Sequence, residues 1–416
     1  MKVLFVNLPS QRLFKPVVPL GLIYLSACLD RHGYENEVLD LNYSLSAQEG
    51  LVNRIGEYHP DIVGISVRNI AENSAMNSCY EEIRKYVTLA KQKAPVILGG
   101  AGFSLFSEQL LKLTHADYGI RGEGETALLQ ILRGLKPDQE ALFRTEEGYP
   151  FISSDISGAY LRYWDRYGRY LVINRADIPI QRIRGCSGGC LYCSYPQLCN
   201  HRVYYRRIEK VVDEIETILH HTNYPHIYFV DSVFNMNRDY SKEFLRCIKR
   251  RGLKINWKCC INPEDYDREL ISLMKDNGCV SCEVGLDSLS DEVLKKLNKG
   301  YDKEKTVGLL KLLEEVKIPY SISLILGGYG ERKETLADTL HTLEAYHPEA
   351  VQGFIGTRIY PNTPLQARLG KAADDLLYGD ACSYYITSTV TETIREFILS
   401  KPGSWTFAGA DLKGKL

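Results

Sequence analysis

The sequence predicts an α/β protein, in which an N-terminal Rossmann-like, doubly wound parallel sheet precedes a partial (β/α)6 barrel and a short C-terminal cap. Short apolar runs that are typical of buried strands alternate with segments of helical periodicity over residues 1–137 and again over residues 178–369. Such alternation is typical of parallel sheets whose strands are joined by helices. Residues 138–177, between the two patterns, are rich in tyrosine and show no sustained period, so we predict a linker there.

The first pattern contains five candidate strands with amphipathic segments between them. The strands are KVLFVNL, NEVLDL, DIVGISV, PVILGG and DYGIRG, and the helical segments include GLIYLSACLDRHG, YEEIRKYVTLAKQ and SEQLLKLTH. Ligands of such sheets bind beyond the carboxyl ends of the strands. The turn after the first strand, NLPSQRLF, lacks the G-x-G-x-x-G pattern, which excludes an ordinary dinucleotide site.

The second pattern contains six candidate strands, IPIQRIR, HIYFVD, INWKCC, VSCEVGL, YSISLIL and AVQGFIGTRIY. Six βα repeats make a partial barrel, whose chemistry we expect at the carboxyl ends of its strands. Residues 370–416 contain one clear helical segment, TETIREFIL, and are predicted to form a C-terminal cap and tail.

The composition is that of an ordinary globular protein. The 416 residues carry a net charge of -1 and are 44% hydrophobic, which gives no reason to expect a nucleic-acid or membrane partner. No apolar run approaches the roughly 20 residues that span a bilayer, and MKVLFVNLPS lacks the features of a secretory signal. The chain is too long for its twelve cysteines to indicate a disulfide-stapled domain. We therefore expect a cytoplasmic protein.

Three cysteines follow the first strand of the predicted barrel. Cys186, Cys190 and Cys193 lie at offsets of four and three in RGCSGGCLYC. One interpretation is a closed zinc site completed by Cys199 or His201. The other is a four-iron cube held by three thiolates, with one iron left without a protein ligand. The spacing matches neither zinc ribbons nor ferredoxins, and the glycines among the cysteines let a loop wrap a bulky cube, which favours the second interpretation.

The pattern C-x3-C-x-aromatic-C at the head of a partial barrel resembles the radical S-adenosylmethionine (SAM) superfamily. The resemblance implies that Cys186, Cys190 and Cys193 hold a [4Fe-4S] cluster and that the open iron binds the amino and carboxylate groups of SAM. It places Tyr192 near the adenine.

Four further stretches, FVDSVFN, EVGLDS, LILGGYGE and RIYPNTPL, fit the same family. The resemblance implies that they supply the remaining SAM contacts, which are Asp231, Glu283, Asp287, Ser288, Gly327, Gly328 and Arg358. For each carboxylate the alternative is an ordinary helix cap or turn residue.

The first domain resembles the cobalamin-binding domain that precedes the barrel in many radical SAM enzymes. The resemblance rests on VPLGLIYLSACLDRHGYENEVLDLN, ILGGAGFS and YGIRGEGE. It implies that cobalamin contacts Asn7, Pro9, Leu20, Gly21, Arg68, Asn69, Gly99, Gly100, Ala101, Gly122, Glu123, Gly124 and Glu125. The D-x-H-x-x-G motif is missing, and His32, His59 and His115 lack its context. We therefore predict that cobalamin binds base-off and without a histidine ligand.

Arg68, in GISVRNI, is the candidate catalytic residue. This stretch and CSYP after the third cysteine most resemble the subgroup of class B radical SAM methyltransferases that contains tryptophan 2-C-methyltransferase. In that subgroup an arginine at this position faces the cobalt, and its poorly coordinating guanidinium would keep the lower cobalt face empty. The alternative is a surface arginine paired with a carboxylate.

The resemblance as a whole implies a cobalamin-dependent radical SAM methyltransferase. It would move a methyl group from SAM, by way of methylcobalamin, to a carbon of a small-molecule or peptide-derived substrate, with flavodoxin or ferredoxin as electron donor, and act as a monomer. One alternative is a non-methylating reaction with the same cofactors, such as cyclisation or ring contraction. Another is a non-catalytic cobalamin carrier. A methylthiotransferase would need a second cysteine trio in the first domain, where only Cys28 and Cys79 are present.

Overall fold

A computed structural model describes residues 1–9, 17–68, 80–134, 142–144, 155–372, 376–378, 381–400 and 404–410. It contains two large parallel sheets, as the sequence predicts, one in each half of the chain.

The first sheet has six parallel strands, in the spatial order β2-β1-β3-β4-β5-β6. The strands are β1 (Lys2–Asn7), β2 (Glu35–Asp40), β3 (Ile62–Ser66), β4 (Val96–Gly99), β5 (Tyr118–Arg121) and β6 (Leu142–Arg144). The helices are α1 (Leu20–Arg31), α2 (Ala47–Tyr58), α3 (Tyr80–Lys91), α4 (Ala101–Leu105), α5 (Ser107–Thr114) and α6 (Gly124–Leu132). All five predicted strands are present. The sixth was missed because three residues are too few to show a period.

A long helix, α7 (Ser157–Ile173), lies in the segment for which the sequence predicted no regular element. The helix was not predicted, because its buried face is built from Tyr160, Tyr163 and Tyr167 instead of aliphatic residues. The helix packs against α1 of the first half and against α9 (Ile208–Thr222) of the second. Tyr163 donates a hydrogen bond to Asp40 Oδ2 at 2.5 Å, which ties α7 to the end of β2.

The second sheet has seven parallel strands, in the order β7-β10-β11-β12-β13-β14-β19. They are β7 (Ile178–Ile180), β10 (His226–Phe229), β11 (Asn256–Ile261), β12 (Cys279–Asp287), β13 (Tyr320–Leu326), β14 (Ala350–Ile355) and β19 (Trp405–Gly409). The six predicted strands are present. The seventh, β19, shows that part of the predicted tail belongs to the sheet, beside β14.

Three short antiparallel strand pairs accompany this sheet in the described residues. They are β8 (Ile183–Arg184) with β9 (Tyr204–Tyr205), β15 (Thr357–Arg358) with β18 (Tyr384–Tyr385), and β16 (Leu377–Tyr378) with β17 (Ala381–Cys382). Two of the predicted strands are therefore divided, IPIQRIR into β7 and β8, and AVQGFIGTRIY into β14 and β15.

The remaining helices are α8 (Tyr195–Leu198), α10 (Arg238–Arg250), α11 (Arg268–Asp276), α12 (Asp291–Lys296), α13 (Lys303–Val316), α14 (Lys333–Leu343), α15 (Pro364–Leu369) and α16 (Thr391–Ser400). One continuous apolar core joins α7 to the second sheet and its helices, and two smaller cores cover the faces of the first sheet. Within the described ranges, no helix is both long enough and apolar enough to cross a membrane.

Candidate functional site

The cysteine loop, residues 185–193, begins directly after β8. Gly185 opens it with φ +97°, and a Cβ there would lie 2.0 Å from the Arg202 carbonyl oxygen, so that only glycine fits. An added Cβ on Gly188 would lie 3.4 Å from Cys186 Sγ and 3.8 Å from Cys190 Sγ. These two sulfurs therefore face one space beside a glycine. The space and the three free thiols fit a cluster that is larger than a single ion.

The described residues show no preformed zinc site, with or without the three cysteines. No group of three or more His, Cys, Asp or Glu side chains in the described ranges is arranged around one metal ion. His201 is exposed. Cys199 lies near Arg184, Glu123 and Cys186, and it lines a cavity of the first domain.

Backbone contacts hold the cysteine loop from two other parts of the barrel. The Leu191 N–H donates to the Leu297 carbonyl at 2.9 Å, and the Leu191 carbonyl accepts from the Leu365 N–H at 2.9 Å. The Asn298 side chain donates to the Gly189 carbonyl at 2.7 Å. The segment after α12 and the start of α15 thus fix the path between the second and third cysteines.

Asp231, a predicted SAM contact, is used within the protein. Its Oδ1 accepts from the Arg182 and Ile183 N–H groups at 2.7 and 2.8 Å, and its Oδ2 accepts from Arg182 Nε at 2.7 Å. Neither side chain of the Arg182–Asp231 pair has any exposed surface. The carboxylate has no exposed oxygen that a ligand could reach, and the proposed SAM site therefore does not include Asp231.

Ser288 is likewise engaged inside the protein. It is fully buried, its hydroxyl lies 3.0 Å from Thr339 Oγ1, and it accepts from the Ser290 N–H at 3.1 Å. We therefore also leave Ser288 out of the proposed site.

Tyr192 and Asp287, two other predicted SAM contacts, are brought together with a residue that the sequence analysis missed. The Tyr192 hydroxyl donates to Asp287 Oδ2 at 2.5 Å, and Lys299 Nζ donates to the Tyr192 oxygen at 3.2 Å. Lys299 also forms an ion pair with Asp287. Burial raises the pKa of Cys190, and the neighbouring Lys299 opposes that rise.

Buried polar groups lie around the glycine turn after β13, which contains Gly327 and Gly328. Glu331 accepts from the Gly327 N–H, and burial raises the pKa of Glu331 to about 7. A Cβ on Gly328 would lie 3.3 Å from Thr357 Oγ1. That hydroxyl is buried and has no hydrogen-bond partner among the described residues. The turn therefore offers an unpaired polar atom to a ligand.

The remaining predicted SAM contacts, Arg358 and Glu283, lie at different levels of the barrel. Arg358 is held by Tyr384 and Tyr360, whose hydroxyls it reaches at 2.7 and 3.3 Å. Glu283 lies lower on β12, where its carboxylate accepts from the Ser323 hydroxyl at 2.6 Å and from the Cys260 thiol at 3.7 Å.

The first domain contains a cavity of about 270 Å³. Most of the predicted cobalamin contacts line it, namely Gly21, Gly99, Gly100, Ala101, Gly122, Glu123, Gly124 and Glu125. Asn7, Pro9 and Leu20 do not, and Asn7 instead bonds to Asp40. Asn69 lies outside the described residues. The small residues let neighbouring backbone pack closely, since a Cβ on Gly100 would lie 2.6 Å from the Val67 carbonyl oxygen.

Residues that flank the cysteine loop line part of the cavity. Leu198 and Cys199, which follow the third cysteine by a few residues, line the cavity together with Arg184. The Arg184 guanidinium lies 3.5 Å from Glu125 Oε1 and 3.6 Å from Glu123 Oε1. A buried ion cluster thus joins β8, where the cysteine loop starts, to the loop after β5.

Arg68, another predicted cobalamin contact, does not line this cavity and lies two residues after the end of β3. It is exposed and makes no ion pair in the part of the chain that the structure describes. Tyr195, two residues after the third cysteine, is 56% exposed. The surrounding protein raises the pKa of Tyr195 by desolvation, and Arg68 is near enough to oppose this rise. Arg68 therefore lies within electrostatic range of Tyr195, two residues after the third cysteine.

Comparison with known proteins agrees with this arrangement. The sequence model of the Radical SAM superfamily matches residues 180–343. The sequence model of the B12 binding domain family matches residues 13–132. An uncharacterised methyltransferase of Pyrococcus horikoshii is 25% identical over 392 residues, which cover 88% of this chain and 82% of that protein. Tryptophan 2-C-methyltransferase of Streptomyces laurentii is 23% identical over 452 residues, covering 88% and 74%.

A solved structure is similar over nearly the whole chain. It is the radical S-adenosylmethionine methyltransferase TsrM from Kitasatospora setae with cobalamin and a [4Fe-4S] cluster bound, with a TM-score of 0.74, 25% identity and coverage of 90% of this chain and 78% of that one. The same enzyme with tryptophan and a SAM analogue bound gives a TM-score of 0.75 at 25% identity, covering 90% and 76%.

The fold, the cysteine loop and these matches define a radical SAM enzyme with a B12-binding domain. More particularly, the chain is similar over most of its length to radical SAM methyltransferases, one of them with cobalamin bound, which confirms the resemblance drawn from its motifs.

Proposed function

We propose that this enzyme transfers a methyl group from SAM, by way of cobalamin, to a carbon atom of a small-molecule or peptide-derived substrate. The observation that carries the proposal is that residues flanking the cysteine loop on both sides, Arg184 before it and Leu198 and Cys199 after it, line the cavity of the first domain. A methyl group can pass between two cofactors only if the protein holds them within reach of each other.

Each cofactor has a proposed set of residues. Cys186, Cys190 and Cys193 would hold the [4Fe-4S] cluster, which leaves one iron open to a small ligand. For SAM, Tyr192, Asp287, Gly327, Gly328 and Arg358 remain the proposed contacts, with Glu283 deeper in the barrel. The unpaired Thr357 hydroxyl beside Gly328 is an additional candidate.

For cobalamin, we propose the glycine-rich ends of β4 and β5 together with Gly21. Cobalamin supplies a cobalt atom that can accept a methyl group and pass it on. Arg68 would occupy the lower face of the corrin, because a guanidinium carries charge but coordinates metals poorly. With an arginine at this position, we propose that cobalamin binds base-off and without a histidine ligand. The electron donor, the monomeric state and the cytoplasmic location stay predictions.

The test is anaerobic reconstitution of the full chain with iron, sulfide and hydroxocobalamin, followed by incubation with SAM. We expect about four irons per chain and one corrinoid, and a Cys190→Ala variant should lose the iron and keep the corrinoid. Cys199→Ala is the matched control, because Cys199 lies a few residues away but outside the cysteine trio, and it should keep its iron.

The products separate the alternatives. S-adenosylhomocysteine together with a methylated corrinoid or product supports methyl transfer. Formation of 5'-deoxyadenosine without any methyl transfer would instead favour the non-methylating reaction. Zinc at one atom per chain with bound corrinoid would favour the carrier.

A further inference from the structure

The helices that join the strands of the second sheet lie on one of its faces. From β7 and β10 to β14 the parallel strands follow one another in chain order, and right-handed connections between such neighbours place all their helices on the same side. On β12, Cys282 and Val284 belong to the apolar core that these helices share. Because successive residues of a strand point to opposite faces, Glu283 and Gly285 point into the barrel.

The inner face of the barrel is polar and open. Four neighbouring strands contribute polar side chains that are partly exposed, namely Tyr228 on β10, Cys260 on β11, Glu283 on β12 and Ser323 on β13. In a complete barrel the inward positions are filled mostly by bulky, branched apolar residues. An added Cβ on Gly285, two residues after Glu283 and on the same face, would meet nothing within 4 Å. The four side chains therefore lie beside open space inside the barrel.

These four side chains form one hydrogen-bonded group, the lumen cluster. The Tyr228 hydroxyl lies 3.1 Å from Cys260 Sγ, and the Cys260 thiol donates to Glu283 Oε2 at 3.7 Å. The Ser323 hydroxyl donates to Glu283 Oε1 at 2.6 Å. Both carboxylate oxygens thus accept from neutral groups, which orient the carboxylate without neutralising it.

The lumen cluster carries a negative charge that the barrel does not balance. Among the described residues, no lysine, arginine or histidine forms an ion pair with Glu283. Lys258, two residues before Cys260 and on the same face of β11, is instead paired with Asp177, whose Oδ2 lies 2.9 Å from its Nζ. A carboxylate that is partly withdrawn from water and has no cation beside it favours a positively charged ligand over a neutral or negative one.

We propose that the lumen cluster receives a protonated amine of the substrate, with Glu283 as the residue that binds the ammonium group. Ser323 and Cys260 would hold the carboxylate in place. Tyr228 and Cys260 are the penultimate residues of β10 and β11, so the cluster lies near the carboxyl ends of these strands, where such barrels place their chemistry. The inference rests on the proposed function, because it names the substrate class of the same barrel.

The experiment compares how fast Cys260 reacts with two thiol reagents of similar size and opposite charge, trimethylammonioethyl and sulfonatoethyl methanethiosulfonate. In each reaction the Cys260 thiolate forms a disulfide with the thioalkyl group of the reagent, and methanesulfinate leaves. Peptide mass spectrometry of the reconstituted full-length protein gives both rates, and fragmentation separates Cys260 from the buried Cys259. We expect the ratio of the cationic to the anionic rate to be about tenfold higher in the wild type than in Glu283→Gln.

Glu283→Gln removes the charge and keeps an acceptor for Ser323 and Cys260. Burial raises the pKa of Cys260 to about 12, which slows both reactions, and the ratio cancels this effect because the same thiolate attacks each reagent. Glu349→Gln is the matched control, since Glu349 accepts from Ser281 at 3.5 Å at the opposite end of the barrel. Its ratio should stay within about twofold of the wild type. Equal ratios in the wild type and Glu283→Gln, or a Cys260 that neither reagent labels, would overturn the proposal.

SAM also carries positive charge, so a second measurement separates the two possible cations. Glu283 lies four residues before Asp287 on β12, which is about 13 Å along a strand. With saturating SAM present, we therefore expect Cys260 to keep its preference for the cationic reagent. If SAM blocks the labelling of Cys260, the cation beside Glu283 is that of SAM and the proposal is overturned. Labelling measures no methyl transfer, so either result leaves the proposed function to its own test.

Discussion

Arg182 Nε donates to Asp231 Oδ2 at 2.7 Å, in an ion pair from which solvent is completely excluded. The same guanidinium donates to the Phe234 carbonyl at 2.8 Å and lies 3.7 Å from the centre of the Phe234 ring. Because Asp231 also accepts from the Ile183 N–H, the pair ties the end of β10 to β8, from which the cysteine loop departs. The buried charges thus fix the point at which the loop begins.

We expect Asp231→Asn to lower the free energy of unfolding by about 3–5 kcal/mol, because it leaves the Arg182 charge buried without an anion. Urea unfolding of the apoprotein measures this loss. Asp213→Ala is the control, since Asp213 pairs with Arg251 at the surface, where such pairs contribute at most about 1 kcal/mol. Similar losses in the two variants would contradict the assigned role of Asp231.

The strands and the cysteine loop could be predicted because both depend on residues that are close together in the sequence. A buried strand needs a run of apolar residues, and three closely spaced cysteines limit the metal groups that they can hold. The roles of Asp231 and Lys299 could not be predicted. In the sequence, Asp231 is one acid after a strand and Lys299 is one lysine near a helix end, where surface lysines are common. Only the packing of distant segments places Asp231 on Arg182 and Lys299 on Asp287 and Tyr192.

Helix α7 shows a second limit. Its tyrosines bury one face of the helix, and Tyr163 and Tyr167 also bond to Asp40 on the first sheet. Tyrosine is an ambiguous signal in sequence because it is found both in cores and at surfaces. The periodicity of a helix buried through tyrosine is therefore weaker than that of one buried through leucine.

Gly100→Ala should weaken the binding of hydroxocobalamin by at least roughly tenfold. Gly100 has φ +100°, and its added Cβ would lie 2.6 Å from the Val67 carbonyl oxygen, which must then move with the end of β3. The cavity that Gly100 lines would change shape as a result. Gly134→Ala is a matched control, because its φ is +76° but nothing lies within 4 Å of the added Cβ. Absorption titration measures both affinities, and equal affinities would mean that corrinoid does not use this wall.

Glu331 should make stability depend on pH. Burial raises the pKa of Glu331 to about 7 from an ordinary value of 4.5. Between these two values the folded state binds more protons than the unfolded state, so the free energy of unfolding falls as pH rises from about 4.5 to 7. The difference corresponds to about 3 kcal/mol.

Glu331→Gln imitates the protonated side chain and keeps an acceptor for the Gly327 N–H. The variant should match the wild type near pH 5 and exceed its stability by about 2–4 kcal/mol near pH 8. Urea unfolding at both pH values provides the measurement. Glu334→Gln, an exposed position three residues further on in α14, should show no such difference. A wild type that is as stable at pH 8 as its Glu331→Gln variant would show that the carboxyl ionises without cost.

Arg68→His should change the coordination of bound cobalamin. The arginine is exposed shortly after β3 and lies within electrostatic range of Tyr195, and a guanidinium is a poor ligand for cobalt. An imidazole at the same place offers a nitrogen that binds metals readily. In the wild type we expect the spectrum of reduced, cobalt(II) corrinoid to lack splitting from a nitrogen ligand, whereas the variant should show it by electron paramagnetic resonance. Arg133→His, an exposed change at the end of α6, should leave the wild-type spectrum unchanged.

The contradicting outcome is an Arg68→His variant that binds corrinoid normally but shows no nitrogen splitting. The arginine would then lie too far from the metal to control its lower face, and the proposed catalytic role would pass to another residue.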